Sequence, residues 1–177
     1  MRRKVEVAMD SKQTVMALYG AYAAGDAEKI SALLHEEVVW TAPAGNATQV
    51  ALGLGRSDDA GPPRGANDLD RDAIVAFMAW NFARFFGGVD NTFRTVVAES
   101  EVVVVEHRLS ATLPNGRPYV NDYCFVYEVH NGKVWRIREY MDTRGGWQQV
   151  FGTSEPVQLI EYVIGETEQA DAATSSS

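Results

Sequence analysis

Two Asn-Gly dipeptides in the C-terminal half constrain this chain more than any other feature. They lie in Pro114-Asn115-Gly116 and His130-Asn131-Gly132, between runs rich in β-branched and aromatic residues. Asn-Gly tolerates the positive φ of a tight hairpin, so each dipeptide marks a reversal between antiparallel strands. The runs at 93–98, 101–113, 119–129 and 133–142 are therefore read as strands of a consecutive meander. Upstream the period is helical. Asp10 caps a helix with Gln13 three residues on, Val15, Leu18, Tyr19 and Tyr22 share a side, and Gly25 ends it. Asp26 starts a short helix over 27–34, His35-Glu36-Glu37 breaks the pattern, and Val38–Thr41 reads as a strand stopped by Pro43. A third helix runs from Asp70 to Phe86, with Ile74, Phe77, Met78, Phe82 and Phe85 on one side. Helices first and a meander afterwards predict an α+β fold, its three N-terminal helices packed on a curved mixed or antiparallel sheet.

These elements predict a single domain over 10–164, preceded by a flexible N-terminus at 1–9 and followed by a polar, disordered tail at 165–177. Ser154-Glu155-Pro156 and the apolar residues after it read as a last helix or strand. The glycine-rich stretch 44–69, with Asp58-Asp59 and Pro62-Pro63, is a long loop and a candidate lid.

Charge and composition remove several function classes. With 16 basic against 24 acidic residues, a net charge of -8 repels phosphate backbones, so no nucleic-acid partner is expected. The apolar residues after Arg2-Arg3-Lys4 are too few for a signal-peptide core or a membrane span, which makes a cytoplasmic location the default expectation and a membrane partner unexpected. The single cysteine, Cys124, excludes an internal disulfide and a cysteine-built metal site. His35, His107 and His130 share no metal-ligand spacing, and glycine-rich nucleotide cradles are lacking. Neither metal nor cofactor is expected.

The order of elements resembles the nuclear transport factor 2-like superfamily, and within it the SnoaL-like enzymes, which are polyketide-cyclase-like and limonene-epoxide-hydrolase-like. The resemblance is carried by Tyr22-Ala23-Ala24-Gly25-Asp26, by the run from Leu33 to Trp40, by Asn115-Gly116-Arg117 and by the run from Asn131 to Asp142. It implies a cone-shaped α+β barrel and a cofactor-independent isomerase, cyclase, dehydratase, hydrolase or lyase. It also implies self-association through the outer face of the sheet, as a dimer or trimer.

Strand alternation then nominates the site. In the last strand Trp135, Ile137, Glu139 and Met141 share a face, which sets Glu139 among apolar neighbours where desolvation raises a carboxyl pKa toward neutrality. The alternative is a structural Glu paired with a neighbouring Arg. Glu139 also falls where epoxide-hydrolase-like relatives carry a catalytic aspartate. Their pattern puts an Arg and, two residues on, an Asp in the earlier strand; here those positions hold Arg108 and Ser110, and the missing Asp speaks against ordinary epoxide hydrolysis. Glu106 and Arg108 are expected to face the pocket, with His107 on the opposite, outer face. Asn121, Tyr123, Phe125 and Tyr127 form a stripe suited to a flat ring ligand, with Trp40, Tyr19 or Tyr22, and Trp80 completing the walls. Compared with ketosteroid isomerases, the oxyanion tyrosine, the base and the second acid fall on Leu18, Ala42 and near Phe125, so that constellation is missing.

The expected function is a cofactor-independent lyase, isomerase or cyclase acting by acid–base chemistry on a small aromatic or polycyclic hydroxylated or carbonyl compound. Glu139 moves a proton, Arg108 holds negative charge, and Tyr123 and Asn121 orient oxygens. Trp40, Tyr22, Trp80, Phe125, Tyr127 and Glu106 bind substrate. A non-catalytic ligand-binding or protein-association domain, an epoxide-hydrolase-like enzyme and a ring-oxygenase accessory subunit remain as alternatives.

Overall fold

The computed structural model describes residues 9–43, 45–52 and 67–152. The expected N-terminal segment (save Met9), most of the candidate lid, the last helix or strand and the C-terminal tail lie outside the described residues.

Helix α1 (Ser11–Ala24) begins with the expected capping box: Asp10 accepts the Gln13 N–H at 2.7 Å, and the Gln13 side chain accepts the Asp10 N–H at 3.1 Å. Gly25 closes it at φ 63°, and a Cβ there would lie 3.3 Å from the Ala79 carbonyl oxygen. Left-handed backbone and a close neighbouring helix both call for glycine. Helix α2 (Ala27–Leu33), capped by Asp26, runs straight into β1 (Leu34–Ala42), so His35-Glu36-Glu37 belong to the strand rather than interrupting it. A short helix α3 (Ala47–Ala51) and strand β2 (Asn67–Leu69) follow. The third expected helix divides into α4 (Arg71–Ala76), a π-helical turn (Phe77–Asn81) and α5 (Phe82–Phe85).

The meander then forms as β3 (Gly87–Glu99), β4 (Val102–Thr112), β5 (Pro118–His130) and β6 (Lys133–Met141). Asn131 at φ 52° and Gly132 at φ 74° build the last hairpin, as an Asn-Gly turn should. The curved, unclosed sheet has the order β2-β1-β6-β5-β4-β3; β1 runs parallel to β6 and the other neighbours are antiparallel, which makes the sheet mixed. The helices bury Val15, Leu18, Ile30 and Ile74 against Val103, Val105, Val134 and Ile137 of its inner face. The α+β architecture expected from the sequence is the one observed.

Two features depart from expectation. Between Glu128 and Val129 the pairing with β6 shifts register, so Val134 and Ile137 both point inward although three positions apart. Trp135 therefore leaves the Glu139 face and lies against His130, ring centroids 4.5 Å apart, with the Arg136 guanidinium 3.8 Å from its ring centroid. Helix α6 (Thr143–Phe151), capped by Asp142, is not among the elements expected from the sequence. A Cβ on Gly146 would sit 3.1 Å from both Asn121 Nδ2 and Met141 Cε, so the glycine serves a close approach. Among the described residues no helix is long and apolar enough to cross a membrane.

Candidate active site

Between the helices and the inner face of β4, β5 and β6 lies a pocket of about 590 Å³, its mouth included. Its free core is narrow: only about 50 Å³ admits the centre of a water molecule. Strand β5 supplies the floor. Its burial alternates without a break, placing Tyr119, Asn121, Tyr123, Phe125 and Tyr127 on the inner face. Phe125 is the register partner of Glu139 on β6, which carries the carboxyl to the same face.

Glu139 is 5% exposed and lines the pocket. Trp40 Nε1 donates to its Oε2 at 3.0 Å, and Asn46 Nδ2 donates to its Oε1 at 2.9 Å. Burial pushes its pKa from the ordinary 4.5 up to about 8, and the two donated hydrogen bonds hold it from rising further. The structural alternative of a Glu–Arg pair does not arise, since both carboxylate oxygens meet neutral donors. Asn46 was missed in the sequence, yet its signal was present. Asn46-Ala47-Thr48-Gln49 is a helix N-cap pattern, and Asn46 Oδ1 accepts the Gln49 N–H at 3.1 Å. That bond turns Nδ2 toward Glu139, which also fixes the orientation of the amide.

The walls are aromatic. Trp40 meets Phe77 and Phe125 edge-on at centroid distances of 5.2 and 5.9 Å, and Tyr22 meets Phe82 at 4.7 Å. Tyr127 donates its hydroxyl hydrogen to Tyr19 at 3.0 Å, leaving the hydrogen of Tyr19 free for another acceptor. The Tyr123 hydroxyl pairs with that of Tyr119 at 2.8 Å. Burial raises the pKa of Tyr19, Tyr22, Tyr123 and Tyr127, so all four keep their hydrogens near neutrality.

Several expected site residues are not at the pocket. Arg108 lies on the outer face of the sheet, away from the pocket, where Nε and Nη2 form a double hydrogen bond with Asp122 at 2.8 and 2.7 Å, both side chains nearly half exposed. Glu106 lies on the same outer face beside Arg94 and accepts from Thr95. The phase of β4 is thus the reverse of the expected one: its register partners Arg108↔Asp122 and His107↔Tyr123 share faces, so the strand that turns Tyr123 inward turns His107 inward as well. Trp80 is 56% exposed, because the turn that aims Phe77, Met78 and Phe82 at the pocket leaves it on the solvent side. Asn121 is buried but does not line the pocket. Its Nδ2 donates to Tyr119 Oη at 3.2 Å and to the Asp142 carbonyl at 3.0 Å, tying the start of α6 to β5. Trp40, Tyr22, Tyr123, Phe125, Tyr127 and Glu139 do come together there, as does Tyr19.

No Lys or Arg is among the described residues that line the pocket. Nor do three or more His, Cys, Asp or Glu side chains gather to share a metal ion among the described residues. What the site offers is a proton-carrying carboxyl, neutral phenol donors and flat apolar faces.

Helices packed into the hollow of a curved, unclosed sheet, with an aromatic-walled pocket between them, form the nuclear transport factor 2-like fold. The chain belongs to the SnoaL-like domain family, whose model matches residues 15–137. Solved structures agree in fold. One is a nuclear transport factor 2-like protein of unknown function from Burkholderia pseudomallei, 23% identical, covering 81% of this chain and 99% of its own, with a TM-score of 0.63. TerC, co-crystallised with polyporic acid, is 22% identical over 79% of this chain and 97% of its own, at 0.62. IdmH from Streptomyces antibioticus, a proposed polyketide cyclase, is 20% identical over 80% and 99%, at 0.61. No curated protein matches the sequence.

Proposed function

We propose that this protein is a cofactor-independent enzyme of lyase, isomerase or cyclase type acting on a small aromatic or polycyclic compound that carries a carbonyl or hydroxyl group. The observation that carries this reading is Glu139, a buried carboxyl with a pKa near 8 facing a slot walled by aromatic rings. A group poised there both takes and returns a proton close to neutral pH. In the first step Glu139 removes a proton from the carbon beside a carbonyl. The electron pair moves to the carbonyl oxygen, where the free Tyr19 hydrogen and the Tyr22 hydroxyl receive the negative charge. Isomerisation, elimination and aldol cyclisation differ only in what that enolate does next.

The outward position of Arg108 narrows the chemistry. With no described cation in the wall, the developing charge must be spread by the substrate itself and met by neutral donors. A conjugated ring system does this, whereas an epoxide, which needs strong activation of its oxygen, does not. The polyporic acid bound to TerC and the proposed cyclase role of IdmH, two structural relatives, are consistent with such a substrate. The narrow free core also favours a second reading, a pocket that only binds.

The two readings separate in deuterated buffer. 1-Tetralone and 2-tetralone, incubated with the enzyme and followed by proton NMR, should lose the signals of the hydrogens beside the carbonyl. Glu139→Gln should slow that exchange by at least about 100-fold while the circular dichroism spectrum stays unchanged. Binding without any exchange supports the non-catalytic reading, and full exchange by the Gln variant removes Glu139 from its role.

A further inference from the structure

His107 sits inside the pocket at 3% exposure, and neither Nδ1 nor Nε2 has a hydrogen-bond partner among the described residues. Its ring lies within 11° of parallel to Tyr123 and 6° to Phe125, at centroid distances of 5.4 and 5.7 Å. Tyr19 meets it edge-on at 5.7 Å, and Phe93 lies tilted against it at 5.8 Å. These neighbours hold the imidazole in place by ring contacts alone. Buried polar groups are nearly always paired, and a pair of unpaired ring nitrogens on a pocket wall points to a partner that arrives with the ligand. On the adjacent strand Asn91, two positions from Phe93, the register partner of His107, also lines the pocket, and its Oδ1 likewise lacks a partner.

Burial pushes the His107 pKa from 6.5 down to about 4, so the ring is neutral near pH 7. One nitrogen then carries a hydrogen and the other a lone pair. A carbonyl oxygen accepts only; it would take the ring N–H and leave Asn91 Oδ1 unmet. A hydroxyl accepts from the ring N–H and donates to that amide oxygen. The distance of His107 from the acid–base centre is also set by the sheet. His107 pairs with Tyr123, and Glu139 pairs with Phe125 one side-chain repeat along β5. Two strand spacings and one repeat separate their backbones by about 12 Å, which the curvature of the sheet shortens at the side-chain tips. The two polar groups thus stand on opposite sides of the aromatic stripe of β5.

We propose that His107, with Asn91, forms a second polar subsite that binds a hydroxyl group on the edge of a flat aromatic ligand remote from Glu139. The subsite selects ring systems hydroxylated at that edge over those bearing only carbonyl oxygens or no oxygen there. This rests on the reading of the pocket as an aromatic-ligand site, and it does not require Glu139 to be the base.

Binding of 2,6-dihydroxynaphthalene and of 2-naphthol, measured by titration calorimetry on the full chain, tests it. The diol should bind at least 10-fold more tightly than the mono-ol. In His107→Phe that preference should fall to within 2-fold, and in Glu139→Gln it should persist. A direct reading on the unaltered protein is the ¹⁵N spectrum of its three histidines. One imidazole should shift on adding the diol and stay in place with 2-naphthol, and the shifting signals should be those missing from His107→Phe or, if that variant does not fold, from His107→Gln. Equal affinity for the two probes, which includes no binding by either, overturns the proposal, as does a preference that survives in His107→Phe. A preference that disappears in His107→Phe together with full proton exchange by Glu139→Gln would retain the subsite and discard the base.

Discussion

Asn46 uses both ends of its amide at once: Oδ1 caps α3 by accepting the Gln49 N–H at 3.1 Å, while Nδ2 donates to Glu139 Oε1 at 2.9 Å, 93 positions along the chain. A local helix cap thereby becomes a support for the proton-carrying group. Because the donated bond favours the ionised carboxylate, it moderates the pKa that burial raises.

Asn46→Ala should therefore act in two ways. Loss of the cap lowers stability by about 1 kcal/mol, and loss of the donor moves the Glu139 titration above about 8. Asn46→Asp keeps the cap, since Asp is an equally good N-cap residue, but sets a second carboxyl against the first and also drives the titration of the pair upward. Chemical denaturation and the pH dependence of proton exchange check both variants; unchanged titration in both would contradict the role given to Asn46.

Stability should depend on pH with two opposing contributions. Glu139 has its folded pKa raised from 4.5 to about 8, so its contribution is complete below 4.5 and is lost as pH rises through 8. His107 has its folded pKa lowered from 6.5 to about 4, so its contribution is complete above 6.5 and is lost as pH falls through 4. Between pH 6.5 and 8 only the first changes, at a slope on the order of 1.4 kcal/mol per pH unit. Urea unfolding across that window should show the wild-type protein losing stability relative to Glu139→Gln. Parallel curves would contradict the burial of a neutral Glu139.

Arg108→Ala should leave ligand affinity and proton exchange at wild-type levels. Its guanidinium pairs with Asp122 on the solvent side of the sheet, and exposed ion pairs contribute little to stability. Any small loss of melting temperature should shrink further in high salt. A large fall in exchange rate would place Arg108 back in the chemistry.

The meander, its turns and the capped first helix were legible because each has a local cause: Asn-Gly at φ > 0, a capping box, a glycine where L residues are strained. The floor of the site was legible because β5 alternates without interruption. Strand β4 was not, since Val102–Val105 is apolar at every position and carries no phase. The phase was available indirectly. Leu113 and Arg117 close the hairpin with a 2.8 Å backbone bond, which fixes His107 opposite Tyr123 and Arg108 opposite Asp122. Counting back from the turn, instead of following the epoxide-hydrolase-like pattern that puts Arg108 at the pocket, brings His107 inside. Trp135 escaped because a bulge breaks alternation without a sequence signal of its own. Asn46 was hidden in a stretch whose glycines and prolines suggested irregular chain, although the cap pattern at 46–49 marked a helix start.

The measurement that bears most directly on the central claim is a carbon-13 NMR titration of the glutamate side-chain carboxyls, with Glu139→Gln identifying the resonance. A carboxyl that changes ionisation at about pH 8 and vanishes in the variant is the predicted result. A Glu139 resonance that titrates near the ordinary 4.5 would show a carboxylate already ionised at neutral pH, able to take a proton but not poised to return it, and would contradict both the burial of a neutral carboxyl and its double role as acid and base.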